Sequence, residues 1–284
     1  MRAVPHVPER QSILSLAEVS AVLAASGVEV GHPASVERIK HGLTNASWRV
    51  RGPASDVVVR LSNTDEDSLQ IDRASEARIM ALVAGEGIGP EVIHSDPARH
   101  ILVTRYAGMT WSDADAVEPS NVERIATLLC KLHALRPPAG IRRVDLRTVI
   151  DGYLDTLDGH GVACEASASK LRTRAHEVAA LLQQQPELRL CHNDVHAFNI
   201  VDDGALRLID WEYAGLGERF FDLASICVYQ KYDKVQRERL LRAYEVASAA
   251  GASTLAGQSW HRLELCCWLF DYVRDLWTAV REIR

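Results

Sequence analysis

The spacing of apolar positions changes several times along the chain, and those changes predict an order of elements. Ser15 to Leu23 reads as a short amphipathic helix, with Ser15 as its cap and Glu18 placed for a capping box. Val36–Lys40, Ser47–Val50 and Val57–Leu61 read as strands, with turn signals at Gly42 and at Gly52-Pro53. Ile71–Ala84 has a helical period and is ended by Gly85, Gly87, Gly89 and Pro90; Glu91–His94 and Ile101–Arg105 then read as two more strands. Beyond them helices dominate. Val122–Leu135 places Ile125, Leu128, Leu129 and Leu132 on one stripe and stops before Pro137-Pro138. Further helices are predicted at Thr148–Leu157, Lys170–Gln184, Lys234–Ala249 and Ser259–Arg284, with short strands at Leu188–Leu190 and Leu206–Ile209 between the second and third of these. The pattern predicts an α+β protein: a small antiparallel-sheet lobe over residues 1–106 and a mainly helical lobe over 107–284.

Composition narrows the classes without choosing one. The 284 residues suffice for two lobes with cores of their own, and 47% hydrophobic with 25% charged residues is ordinary for a globular chain. A net charge of −6, with no basic run beyond pairs such as Arg142-Arg143, argues against a nucleic-acid partner. Met1 to Pro8 lacks the apolar centre of a secretory signal, and no apolar stretch approaches the roughly 20 residues of a membrane span, so the expected setting is the cytoplasm, with no membrane partner. The six cysteines lie mostly in apolar runs without C-x-x-C spacing, which predicts buried thiols rather than disulfides or zinc ligands.

Chemistry concentrates in Cys191-His192-Asn193-Asp194-Val195-His196-Ala197-Phe198-Asn199 and in Leu208-Ile209-Asp210-Trp211-Glu212. A phosphoryl group in flight needs an aligned nucleophile and neutralised charge more than covalent help. Asp194 suits the receipt of a hydroxyl proton, while Asn199 and Asp210 offer the hard oxygen donors that Mg²⁺ prefers. The pattern H-x-D-x-x-x-x-N has the spacing of the protein-kinase catalytic loop, and Asp210 stands where the metal-binding Asp would follow. Asn and Asp are also ordinary turn formers, but the flanking apolar strands supply the context that the chemical reading requires.

These segments resemble the aminoglycoside phosphotransferase and choline kinase superfamily, and the run from Asp210 to Gly215 looks most like bacterial choline/ethanolamine kinases and thiamine kinases. The resemblance extends in family order through His41-Gly42-Leu43-Thr44-Asn45, Val57-Val58-Val59-Arg60, Ile71-Asp72-Arg73 with Glu76, Gly87-Ile88-Gly89-Pro90 and Tyr106-Ala107-Gly108. It implies a bilobal protein-kinase-like fold and the use of ATP and Mg²⁺. Gly42, Thr44 and Asn45 would meet phosphates, Arg60 would pair with them and with Glu76, and Tyr106 would sit at the adenine hinge. Arg60 departs from the protein-kinase Lys, yet it keeps the charge and adds a bidentate fork.

The acceptor is less explicit. No long activation segment and no A-P-E follow Asp210, so a small alcohol is expected rather than a polypeptide. Trp211, Trp268, Tyr272 and Asp275, with Glu212 and His196, are the candidate substrate residues, since an aromatic wall with carboxylates suits a cationic alcohol such as choline. Tryptophans at helical spacing equally suit a core, and both readings of the last helix stay open. His192 is expected to brace the loop, and Asp222 to cap a helix or brace the same loop. The expected activity is transfer of the γ-phosphoryl of ATP to choline, ethanolamine or a similar amino alcohol. A thiamine kinase, an antibiotic phosphotransferase and a non-catalytic nucleotide-binding regulator remain as alternatives, and the sequence leaves both monomer and homodimer open.

Overall fold

In the computed structural model, residues 16–31, 35–39, 45–62, 66–184, 188–248 and 256–283 are described. Helix α1 (Leu16–Ala25) precedes strands β1 (Ser35–Ile39), β2 (Asn45–Arg51) and β3 (Asp56–Ser62); α2 (Glu66–Leu69) and α3 (Arg73–Gly85) lead to β4 (Val92–Asp96) and β5 (Ile101–Arg105). The five strands form one antiparallel sheet in the order β1-β2-β3-β5-β4. Alternation decides its two faces. Trp48, Val50, Val57, Val59 and Val103 pack with Val19, Leu23 and Val30 in a small core on one side. Asn45, Ser47, Arg49, Val58, Arg60, Leu102 and Thr104 line a cavity on the other. Ser15 and its capping box, Gly42 and Thr44 lie outside the residues whose side chains are described.

The rest is mainly helical: β6 (Met109–Thr110), α4 (Asp113–Val117), α5 (Pro119–Ala134), α6 (Leu146–Gly159), α7 (Ser169–Gln183), β7 (Leu188–Cys191), β8 (Ile200–Asp202), β9 (Leu206–Leu208), β10 (Gly215–Glu218), α8 (Arg219–Tyr229), α9 (Lys234–Ala247) and α10 (Ala256–Glu282). β7 pairs with β10, and β8 lies between β6 and β9. The loop between β7 and β8 carries residues 192–199, and Asp210 follows β9 by two residues. Pairing of β8 with β9, joined by Ile209 N–H donating to Asn199 O at 2.9 Å, therefore brings the two motif halves together. All six cysteines are free thiols, and Cys191, Cys227, Cys266 and Cys267 are buried. Among the described residues, no helix is long and apolar enough to cross a membrane.

Candidate active site

The motif loop is held from beneath. His192 is fully buried; its Nε2 lies 2.9 Å from Ile209 O and its ring packs against Trp211. Burial lowers the His192 pKa despite the Asp222 and Asp194 charges. That fits the bracing role, since a neutral ring can donate from Nε2 to the carbonyl while its Nδ1 accepts the Asp194 N–H at 3.3 Å. Asn193 takes a left-handed φ of 66°, and Asp210 one of 64°, a region that Asn and Asp enter more readily than most side chains. The Asn193 turn is fixed at both ends: its N–H donates to Asp222 Oδ1 at 2.6 Å and its Nδ2 to Tyr213 O at 3.0 Å.

Above this base, Asn199 Nδ2 donates to Asp194 O at 2.9 Å and to Asp194 Oδ2 at 3.1 Å. Burial by itself would push the Asp194 carboxyl up. The His196 ring, 3.7 Å away, with help from His192 and the Tyr229 hydroxyl, instead holds it below the usual carboxylate range. His196 shifts the other way: burial opposes its charge, and the Asp194 contact outweighs burial and raises it.

Asp210 lies at the edge of a charge network. Arg60 reaches Glu76 at 2.6 Å and Asp210 at 3.2 Å, and Arg73 reaches Glu66, Glu76 and Glu212 at 2.7, 2.8 and 3.2 Å. Asn45 Nδ2 bridges Asp210 Oδ1 at 3.3 Å and Glu212 Oε2 at 2.8 Å. Burial pushes the Asp210 carboxyl up, with Arg60 opposing and Glu76 and Asp194 adding repulsion. Arg60 and Asn45 both contact Oδ1, which leaves Oδ2 available. The Asn199 amide nitrogen is turned to Asp194, so its oxygen faces away from that bond. A crowded carboxylate and a nearby amide oxygen are a donor set that suits Mg²⁺.

Two cavities meet here. One, of about 470 Å³, lies on the sheet side and includes Asn45, Arg60, Tyr106 and Pro90; the Arg49 guanidinium stacks 3.5 Å from the Tyr106 ring centre. The other, of about 490 Å³, lies among the helices and includes Asp194, His196, Glu212, Tyr153, Tyr213 and Trp277. Phe198, Asn199 and Asp210 are the residues common to both. Glu76 lines neither and touches this region through Arg60 and Arg73.

Trp211, Trp268, Tyr272 and Asp275, expected at the acceptor, line neither cavity. Trp211 is fully buried beneath the loop, with Nε1 donating to Leu208 O at 2.9 Å. Trp268 and Tyr272 stack on one another, with Arg174 over Trp268, and Asp275 is exposed beside Arg274. The α10 residues at the cavity are Phe270, Val273, Arg274 and Trp277, about half a turn round the helix from the expected stripe. Trp277 Nε1 donates to Tyr213 Oη at 2.8 Å, tying α10 to the segment after Asp210. Sequence reasoning also missed Tyr153, Tyr213 and Tyr229. Their spacing resembles that of core aromatics, and no local signal separates them from core.

The sequence matches the model of the phosphotransferase enzyme family over residues 35–265. The chain belongs to that family. It is 27% identical to protein LicA of Haemophilus influenzae over 253 residues, which cover 85% of this chain and 72% of that protein. A choline/ethanolamine kinase family protein from Mesorhizobium loti superposes with a TM-score of 0.71 at 28% identity, covering 93% of this chain and 86% of the other. Choline kinase LicA from Streptococcus pneumoniae gives a TM-score of 0.76 at 20% identity, covering 94% and 91%. The α+β fold is thus the bilobal protein-kinase-like one, and the protein is a phosphotransferase.

Proposed function

We propose that this phosphotransferase moves the γ-phosphoryl group of ATP to the hydroxyl of choline, ethanolamine or a similar cationic amino alcohol. The observation that carries the reading is the meeting of two cavities at Asn199 and Asp210, with Asp194 lining only the helix-side one. We assign nucleotide binding mainly to residues 1–106 and acceptor chemistry to 107–284. In this reading Asn45, Arg60 and Tyr106 serve the nucleotide, with Glu76 holding Arg60 in place. Asn199 and Asp210 would hold Mg²⁺, which supplies charge neutralisation at the phosphates. Asp194 orients the attacking hydroxyl and receives its proton. A carboxyl held below its usual range is a weak base, which suits a loose transition state in which the proton leaves late.

The acceptor cavity supports a compact cation. Tyr153, Tyr213, Phe270 and Trp277 line it with aromatic rings, and a ring face presented to an ammonium group is worth about 0.5–2 kcal/mol; Asp194, Asp210 and Glu212 line the same cavity. The names of the similar proteins, choline kinase and choline/ethanolamine kinase family protein, agree with that chemistry. Thiamine also combines a permanent cation with an alcohol, so it belongs in the test. Product formation should be measured with Mg²⁺ and ATP over choline, ethanolamine, thiamine, kanamycin and a macrolide. Phosphorylated choline or ethanolamine as the dominant product is expected; a dominant antibiotic product, or ATP binding without any product, overturns the reading.

A further inference from the structure

The helix-side cavity holds a cation that the chemistry above does not use. Arg142 lines it, with a pinned backbone: its N–H donates to Ser75 Oγ at 2.9 Å and its carbonyl accepts the Leu216 N–H at 2.9 Å. Its Nη1 donates to the carbonyl of Gln70, a residue held at a left-handed φ of 55°. The guanidinium is fixed at that corner, and its Nε and Nη2 have no acceptor among the described residues. Arg49, Arg60, Arg105 and Arg274 line the same two cavities, and each meets a carboxylate at 2.5–2.6 Å. Among the described residues, Arg142 meets none. Burial lowers its pKa, and the groups opposing burial are Tyr153, Asp72 and Tyr213 rather than the carboxylates at the Asp194 end of the cavity.

Further donors line the cavity beside it. Burial pushes the Tyr153 and Tyr213 phenols up, so both stay protonated. Tyr213 Oη accepts the Trp277 Nε1–H at 2.8 Å, and its own proton has no acceptor among the described residues. Donors therefore exceed acceptors around Arg142. A buried charge without a counterion is costly, and a bare ammonium acceptor in the same cavity would add repulsion. A carboxylate on the acceptor relieves both, and its plane matches the free Nε and Nη2 edge of the guanidinium. The cavity, at about 490 Å³, is of the size that holds drug-sized molecules and has room for such a group. We propose that the preferred acceptor is an amino alcohol that also carries a carboxylate, received by Arg142 with the Tyr213 hydroxyl beside it. The carboxylate anchors and takes no part in the transfer. This deepens, and rests on, the reading of the helix-side cavity as the acceptor site.

Pairs of acceptors that differ only by the carboxylate test it: ethanolamine against serine, and choline against N,N,N-trimethylserine. With Mg²⁺ and ATP, the readout is kcat/KM for the carboxylated member divided by that for its partner, in wild type, Arg142→Met and Arg142→Gln. Met keeps an apolar stem, and Gln offers an uncharged donor. The wild type should favour the carboxylated member of at least one pair by about tenfold or more. Both variants should cut that ratio by about 10- to 100-fold, the scale of a hydrogen bond to a charged group. A loss shared equally by both members reduces Arg142 to a tie to Gln70 and overturns the subsite. A wild type that prefers the uncarboxylated member of both pairs overturns it too, and leaves the amino-alcohol reading standing. The ratio is taken within one preparation, so loss of folded protein does not alter it, and the wild-type preference is read whether or not the variants fold. Calorimetry with Mg²⁺ and a non-hydrolysable ATP analogue separates the remaining failures. A carboxylated member that forms no product, yet binds the wild type at least about tenfold more tightly than R142M, retains the subsite and counts against the transfer reading. Binding of neither member overturns both.

Discussion

The motif loop and helix α10 both bring clusters of polar and aromatic side chains to the helix-side cavity, yet they are fixed by different means. In the loop, nearly every group is tied by hydrogen bonds: His192 to Ile209, Asn193 to Asp222 and Tyr213, Asn199 to Asp194. In α10, ring orientation follows which neighbours the helix packs on, and aromatic side chains occur on both its faces, Trp268 and Tyr272 on one and Phe270 and Trp277 on the other. Placement read from type and spacing holds where hydrogen bonds fix geometry, and fails where packing chooses between similar faces.

Substitutions that remove the loop's charge should separate function from stability most sharply. Asp210→Asn keeps a residue that tolerates the left-handed backbone and relieves a crowded carboxylate. Turnover is expected to fall about a thousandfold or more while the melting temperature holds or rises slightly. Activity within tenfold of wild type would remove Asp210 from the metal role. The two faces of α10 should divide in the opposite sense. Trp277→Ala should raise KM for the alcohol by roughly 2- to 30-fold, the range of one cation–π contact. Trp268→Ala should leave that KM within about twofold and lower stability by about 2–3 kcal/mol, since it removes half-buried packing. A KM change confined to the Trp268 variant would reinstate the stripe predicted from the sequence.

A smaller effect concerns pH. Asp202, on the strand that follows the loop, is held down to about 2, first by the Arg124 hydrogen bond at 2.7 Å and also by the Gly204 amide. Its folded pKa lies below its ordinary value of 3.8, so this contribution to stability is present above that value and is lost as pH falls through about 2. Arg124→Met should flatten the acid limb of the stability curve between those limits. The change should be slight, because the pair is only half-buried and is screened by solvent. An unchanged acid limb in a chemical-denaturation series would show that the pair contributes nothing.

The same division governs what could be read from the sequence. The five strands of the sheet, β7, β9 and the long helices other than α8 were legible because their apolar periods are clean, and the observed ends differ by only a few residues, whereas the short β6, β8 and β10 carry no such period. α8 was not legible: residues 220–227 are all buried, so no polar face marks a helical period. The meeting of Asp194, Asn199 and Asp210 was legible because they stand at a diagnostic spacing, and the structure brings them to one cavity. The α10 face was hidden because its selection depends on α6, α7 and α8, far away in sequence. Trp211 misled for a related reason: adjacency to Asp210 along the chain says nothing of direction, and the ring turns under the loop to pack on His192.

In the proposed mechanism Asp194 orients and deprotonates the acceptor hydroxyl without being needed to hold the nucleotide. Asp194→Asn preserves shape and removes the charge. ATP affinity and single-turnover transfer should be measured on the same preparation of this variant with Mg²⁺ and the preferred alcohol. ATP affinity should stay within about twofold of wild type, and transfer should slow by about a hundredfold or more. Transfer within a few-fold of wild type, or loss of ATP binding in a folded variant, would contradict it.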